Sequence, residues 1–161
     1  MALTDLLGDT EEFLNRVFIA LDQDGIDVSK NELDHLCYRV ETMSNYLDTK
    51  KVLLEHGTLL GESEINGRPI ATYKLHEPIQ YREREISVLE IPAPKEGKPY
   101  SEGLEHVEFV INESFEDFMS QHPNVDFNAQ GADKPRNPDI VVKYDDFVVK
   151  FHHQALESYH P

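Results

Sequence analysis

Residues 33–40 read Leu33-Asp34-His35-Leu36-Cys37-Tyr38-Arg39-Val40, and residues 104–111 read Leu104-Glu105-His106-Val107-Glu108-Phe109-Val110-Ile111. Both octets run Leu, acid, His, aliphatic, variable, aromatic, variable, aliphatic. The alternation has a period of two, so each octet reads as a strand. On that period His35 shares a face with Cys37 and Arg39, and His106 shares one with Glu108 and Val110. An internal repeat of this kind signals one supersecondary unit used twice.

Working outward, each strand leads into a helix signal. Ser44 is the expected cap of the first helix, which carries Tyr46, Leu47, Leu53 and Leu54 and stops near Gly57. Ser114 caps the second, where Phe115, Phe118, Met119 and His122 fall on one face and Pro123 ends the run. Short strands follow. Residues 58–65 and 68–75 flank Asn66-Gly67, a type I′ hairpin signal. His76-Glu77-Pro78 reads as a strand end with a turn. Residues 85–91 form a further strand, closed by Pro92-Ala93-Pro94. In the second half, residues 139–144 and 147–152 flank Asp145-Asp146, and residues 124–138 hold at most one weak strand.

The order is therefore βαβββ twice, an α+β chain. The first module spans 31–94, the second 103–155, and 95–102 link them in one compact domain. Neither module can bury its sheet alone, so the two pack side by side. Residues 1–30 form a helical extension: Phe13, Leu14, Val17, Phe18 and Leu21 share one face, Asp9 and Glu12 suggest a capping box, and Asp24-Gly25 is the stop.

Composition removes several function classes. The chain has 161 residues and a formal charge of −16. Such an acidic balance argues against binding nucleic acid, which needs clustered Lys and Arg. One Cys excludes an internal disulfide. No apolar run suits a membrane span and no leader pattern opens the chain, so a cytoplasmic protein is expected. Asp22-Gln23-Asp24-Gly25 fails as a calcium loop, because Ala20 and Asn31 would stand where carboxylates are needed. Cys37 reads as a small buried residue, and His56, His122, His153 and His160 as surface or helix-end residues.

The βαβββ order and the matching histidines resemble the vicinal oxygen chelate superfamily, which holds glyoxalase I, extradiol dioxygenases and bleomycin-resistance proteins. A closer resemblance is to the YecM family. The residues carrying it are Asp34-His35-Leu36-Cys37-Tyr38-Arg39, Ile65-Asn66-Gly67-Arg68-Pro69-Ile70 and Lys74-Leu75-His76-Glu77-Pro78. They continue with Leu89-Glu90-Ile91-Pro92, Glu102-Gly103-Leu104-Glu105-His106-Val107-Glu108, Asn137-Pro138 and Val149-Lys150-Phe151-His152. The resemblance implies a strongly curved mixed sheet, a half-open barrel with outer helices. It also implies a metal centre in which the first strand of each module supplies a His and the fourth a carboxylate.

On those positions His35 and His106 match the histidines and Glu90 matches the first module's carboxylate. The second module departs from the pattern, with Val148, Lys150 and His152 on one face and no Glu. The expected ligand set is then His35, Glu90, His106 and His152. Alternatively, three ligands have Lys150 beside them, neutralising an anionic substrate or balancing Glu108. Two imidazoles and a carboxylate suit Zn, Mn, Fe(II) or Ni with positions left open. Such an ion would polarise a carbonyl or chelate vicinal oxygens. Glu108 would act as general base if enclosure raised its pKa, and Arg39 would fork a substrate carboxylate.

The plainer alternatives stay open. A strand His is ordinarily just packed and hydrogen-bonded, and Glu90 is equally a salt-bridge partner for Arg39 or Lys150. The expected function is a metal-dependent isomerase, lyase or dioxygenase acting on a small oxygen-rich metabolite, as monomer or homodimer. The alternatives are a non-catalytic small-molecule binder in the same cleft and an acidic protein that docks a basic partner.

Overall fold

The computed structural model describes residues 1–98 and 101–160. The first module is β1 (Leu33–Arg39), α3 (Met43–Leu54), β2 (Gly57–Ile65), β3 (Arg68–Tyr81) and β4 (Arg84–Pro92). The second is β5 (Gly103–Val110), α4 (Phe115–Ser120), β6 (Phe127–Asn128), β7 (Asp139–Lys143) and β8 (Val148–His152). One mixed sheet runs β2-β3-β4-β1-β5-β8-β7-β6, so the modules meet through antiparallel β1 and β5. Within each module the first and fourth strands pair in parallel. Leu36 faces Val107, His35 faces Glu108 and Cys37 faces His106, a local two-fold relation centred on the Leu36–Val107 pair.

That relation is interrupted twice, symmetrically. Between the Leu33–Phe109 and His35–Glu108 pairs β1 carries one extra residue, Asp34. Between the Cys37–His106 and Tyr38–Leu104 pairs β5 carries one extra residue, Glu105. Each bulge therefore holds the acid that precedes the repeated His. A bulge bends the strand and re-aims its side chains.

The sheet's outer face carries the apolar core. Leu36, Tyr38, Leu89, Ile91, Val107, Phe109, Val149 and Phe151 join Phe13, Leu14, Val17 and Leu21 of α2 (Thr10–Gln23) in one cluster. Phe18 of α2 stacks on Tyr81, and α4 delivers Phe118 against Phe151. Helices thus cover one face, and His35, Cys37, Glu90, His106, Glu108 and Lys150 alternate onto the other.

Several sequence expectations change. The N-terminal extension is two helices, because Gly8 at φ 81° separates α1 (Leu3–Leu7) from α2. Asp9 caps α2 by accepting from Glu12 N, as expected. Thr42, and not Ser44, caps α3 by accepting from Asn45 N. β3 does not end at Leu75; it continues to Tyr81, with His76, Glu77 and Pro78 bulging out of the β4 ladder between the pairs at Lys74 and Ile79. An outward loop satisfies Pro78, which has no N–H to give to the ladder. Asn66 and Gly67 both take positive φ, as a type I′ turn requires. Part of the expected linker 95–102, residues 99 and 100, lies outside the described residues.

Candidate metal centre

The two bulges build the site. Asp34 Oδ2 lies 2.8 Å from His35 Nδ1, and Glu105 Oε2 engages His106 Nδ1. Each acid holds the near nitrogen of its own His, which fixes the tautomer and turns Nε2 inward. Nitrogen or oxygen atoms of His35, Glu90 and His106 then lie within 4.8 Å of one another. Register explains Glu90: it pairs with Cys37 across the parallel β1–β4 ladder, next to His35 on the same face. Glu90 Oε1 is 3.6 Å from His106 Nε2, and the His35 and His106 rings are 6.3 Å apart.

The remaining expected residues fall around this triad. Glu108 Oε2 sits 2.9 Å from His35 Nε2. His152 is fully buried on the far side of His35, with Nδ1 2.7 Å from Asn137 Oδ1 and Nε2 3.2 Å from Asp34 Oδ2. It groups with Asp34 and His35 as a potential ligand set, and not with Glu90 and His106. Lys150 pairs with Glu108 in the β5–β8 ladder, the position equivalent to that of Glu90 in the first module. Arg39 Nε lies 3.5 Å from Glu105 Oε2, so its guanidinium braces the acid that braces His106.

Charge dominates the electrostatics. Asp34, Glu90, Glu105 and Glu108 face two fixed cations, Lys150 and Arg39. Two negative charges remain, to be met by imidazolium or by a divalent cation. Burial alone would push His35 down, but Glu108 and Asp34 overcome it and lift the ring to about 10. Burial alone would raise Glu108, yet the His35 and His152 rings and Lys150 hold it below the usual carboxylate range. Glu90, opposed by burial but drawn down by His106 and His35, sits at about 2. Lys150 goes up, because Glu108, Glu90 and Asp139 outweigh its burial; it is a fixed ammonium, not an amine nucleophile.

The donor set fits a divalent metal. His35 Nε2, His106 Nε2, His152 Nε2 and Glu108 Oε1 are buried without an aligned hydrogen bond. Orphaned buried polar atoms are rare, and each calls for a partner such as an ion. Their nearest groups are carboxylates, Glu108 Oε2 at 2.9 Å for His35 Nε2, Glu90 Oε1 at 3.6 Å for His106 Nε2 and Asp34 Oδ2 at 3.2 Å for His152 Nε2, while the Nδ1 atoms behind them are satisfied.

Asp34, Glu105 and Asn137 were not read as site residues from sequence. The signal for the first two was present, since the acid is repeated before each His; its meaning needs the bulge, which alternation alone does not reveal. Asn137 takes φ 49°, a left-handed conformation that Asn tolerates, and so presents its amide to His152. Cys37 is buried, as expected, and neighbours Glu105 and His106.

Paired βαβββ modules joined edge to edge around such a hollow define a vicinal oxygen chelate fold. The same architecture recurs in a Streptomyces coelicolor methylmalonyl-CoA epimerase variant in complex with 2-nitronate-propionyl-CoA (TM-score 0.55, 11% identity, covering 77% of this chain and 97% of that one). Within that fold the chain belongs to the YecM family, whose model, described as YecM protein, matches residues 2–159. Protein YecM of Escherichia coli is 32% identical over 109 residues; the match covers 68% of this chain and spans 58% of the relative's length. The structural-genomics protein EC4020 superposes with a TM-score of 0.79 at 27% identity, over 97% of this chain and 90% of its own. No described helix is long and apolar enough to cross a membrane.

Proposed function

We propose that the protein is a divalent-metal-dependent enzyme acting on a small oxygen-rich metabolite, with His35, Glu90 and His106 as its ligands. The observation that carries this is the convergence of ligand atoms of His35, Glu90 and His106 within 4.8 Å of one another, with each ring backed by a carboxylate on Nδ1. Two imidazoles and one carboxylate leave coordination positions open, as a catalytic site needs, and suit Zn, Mn, Fe(II) or Ni. A bound ion there supplies Lewis-acid polarisation of a carbonyl, or a chelate for two neighbouring oxygens.

The chain's own groups do the rest. Asp34 and Glu105 orient the ligating rings. Lys150 offers a fixed positive charge for a substrate carboxylate, and Arg39 acts through Glu105. Glu108, a carboxylate at neutral pH, balances Lys150 and the ion. His152 positions Asp34 and Glu108.

A second reading, a non-catalytic binder in the same hollow, is favoured by one observation: Glu108 is held below the ordinary carboxylate range, which weakens it as a general base. Metal content and activity screening separate the two. Turnover of a 2-oxo or 2-hydroxy acid that depends on added metal supports the enzyme. Metal-free protein that such acids merely stabilise against heat supports the binder.

A further inference from the structure

The hollow is closed by the chain's own end. After β8, His153 is clamped: its ring stacks on Phe115 at 4.2 Å and its Nε2 is 2.8 Å from Glu113 O. The chain then turns back over the concave face through a 3-10 turn, Leu156–Tyr159. Leu156 is buried, and its N–H donates to Asp34 Oδ2 at 2.9 Å, the carboxylate that holds His35. Glu157 pairs with Lys74 of β3 at 2.8 Å. The Arg136 guanidinium lies 5.1 Å from the Tyr159 ring centroid. At the far end the His160 ring fills the space over Gly61 of β2, where a Cβ would come within 2.4 Å of Nδ1. His160 also lies in the fields of Arg136 and Glu90.

The strap therefore starts at β8 of the second module and ends on β2 of the first, crossing the mouth of the hollow. Its attachments are of two kinds. One buried side chain and one buried backbone hydrogen bond hold the middle. An ion pair whose members are 48% and 42% exposed, a ring contact and the Gly61 seat hold the rest. Exposed pairs of this kind contribute little and break readily. His35, His106 and Glu108 are all under 5% exposed beneath the strap. A cavity of about 680 Å³ lies elsewhere, beside α1 and the His76–Pro78 bulge, and does not serve the site.

We propose that residues 154–160 are a hinged lid over the His35–Glu90–His106 centre, closed in this structure, pivoting beyond the clamped His153 to admit the ligand. The lid rests on the metal-site reading only for what it admits; the closure itself is tested without metal. Gly61→Ala removes the seat of His160, and Glu157→Ala removes the latch to Lys74. The double variant and a chain ending at His153 are compared with the full chain for carbethoxylation of individual histidines by diethyl pyrocarbonate, located by mass spectrometry.

The lid predicts that His106 reacts about tenfold or more faster in the double variant, as a local opening becomes easier. Exposed His76 should react at an unchanged rate, and α2 should keep its amide-exchange protection. An unchanged rate at His106 in a variant that still melts cooperatively would overturn the lid. If the shortened chain does not fold, the double variant decides. In parallel, zinc-loaded forms are challenged with a chelator, and release should accelerate by a similar factor. If no form binds zinc while the carbethoxylation rates rise, the lid stands and the metal reading falls.

Discussion

Asp34→Asn is the sharpest perturbation of the site. The Asp34 carboxylate reaches three groups: His35 Nδ1 at 2.8 Å, His152 Nε2 at 3.2 Å and Leu156 N at 2.9 Å. It is 5% exposed, and although burial opposes its charge, the His152 and His35 rings and the Leu156 amide hold its pKa below the ordinary range. Asn keeps the shape and one acceptor oxygen but loses the charge, and it turns a donor toward groups that need an acceptor. Hydrogen bonds to buried charges contribute about 1.5–3 kcal/mol each, so the metal-free variant should lose roughly 2–4 kcal/mol of stability. Loss of a carboxylate behind a ligating His weakens metal binding by about 10- to 100-fold. That is roughly 1.4–2.7 kcal/mol of binding free energy. Calorimetric titration with Zn²⁺ or Co²⁺, beside urea melts of the metal-free form, reads both quantities. Asp48→Asn, an exposed carboxylate on α3, is the control. A folded Asp34→Asn protein that binds metal within about twofold of the parent would refute the argument that bulge acids orient the ligands.

Other consequences follow from the same structure. Glu105→Gln should weaken metal binding in the same direction but less than Asp34→Asn, because Glu105 is 23% exposed and shared with Arg39; the same titration ranks them. Cys37, buried on β1, should resist Ellman's reagent in the native protein and react fully once unfolded; fast native reaction would contradict its placement. Leu14→Ala, at a fully buried position of α2, should cost about 2–5 kcal/mol in denaturant melts, whereas a loosely docked helix would lose far less. Tyr73, pushed up to about 12 by burial and then by Glu62, is protonated in the folded chain where the unfolded chain ionises near 10. Its contribution is therefore complete below pH 10 and lost as pH rises toward 12, at roughly 1.4 kcal/mol per pH unit; Tyr73→Phe should flatten that part of the stability curve.

The fold was legible because both octets carry the same alternation and each leads into a capped helix and a hairpin. That the modules pack side by side also followed, since neither buries its sheet alone, whereas the β1–β5 register came only with the structure. What alternation concealed was every departure from it. Asp34 and Glu105 look like ordinary strand residues until a bulge turns them toward their neighbouring His, and His76-Glu77-Pro78 looks like a strand end until the chain resumes beyond it. His160 looks like a surface residue near the terminus and is instead seated on Gly61, since no local pattern encodes where a tail returns. The His35, Glu90 and His106 grouping was readable through the family resemblance, which places a His on the first strand and a carboxylate on the fourth; the parallel β1–β4 pairing brings them together.

The account stands or falls on whether those three side chains grip an ion. Elemental analysis of protein purified without a His-tag or chelator, beside the His35→Ala, His106→Ala double variant, tests this directly. The account predicts about one transition-metal ion per chain in the parent and almost none in a folded double variant. A parent that takes up no Zn, Mn, Fe or Ni even on titration, or a double variant that binds as well as the parent, would contradict it.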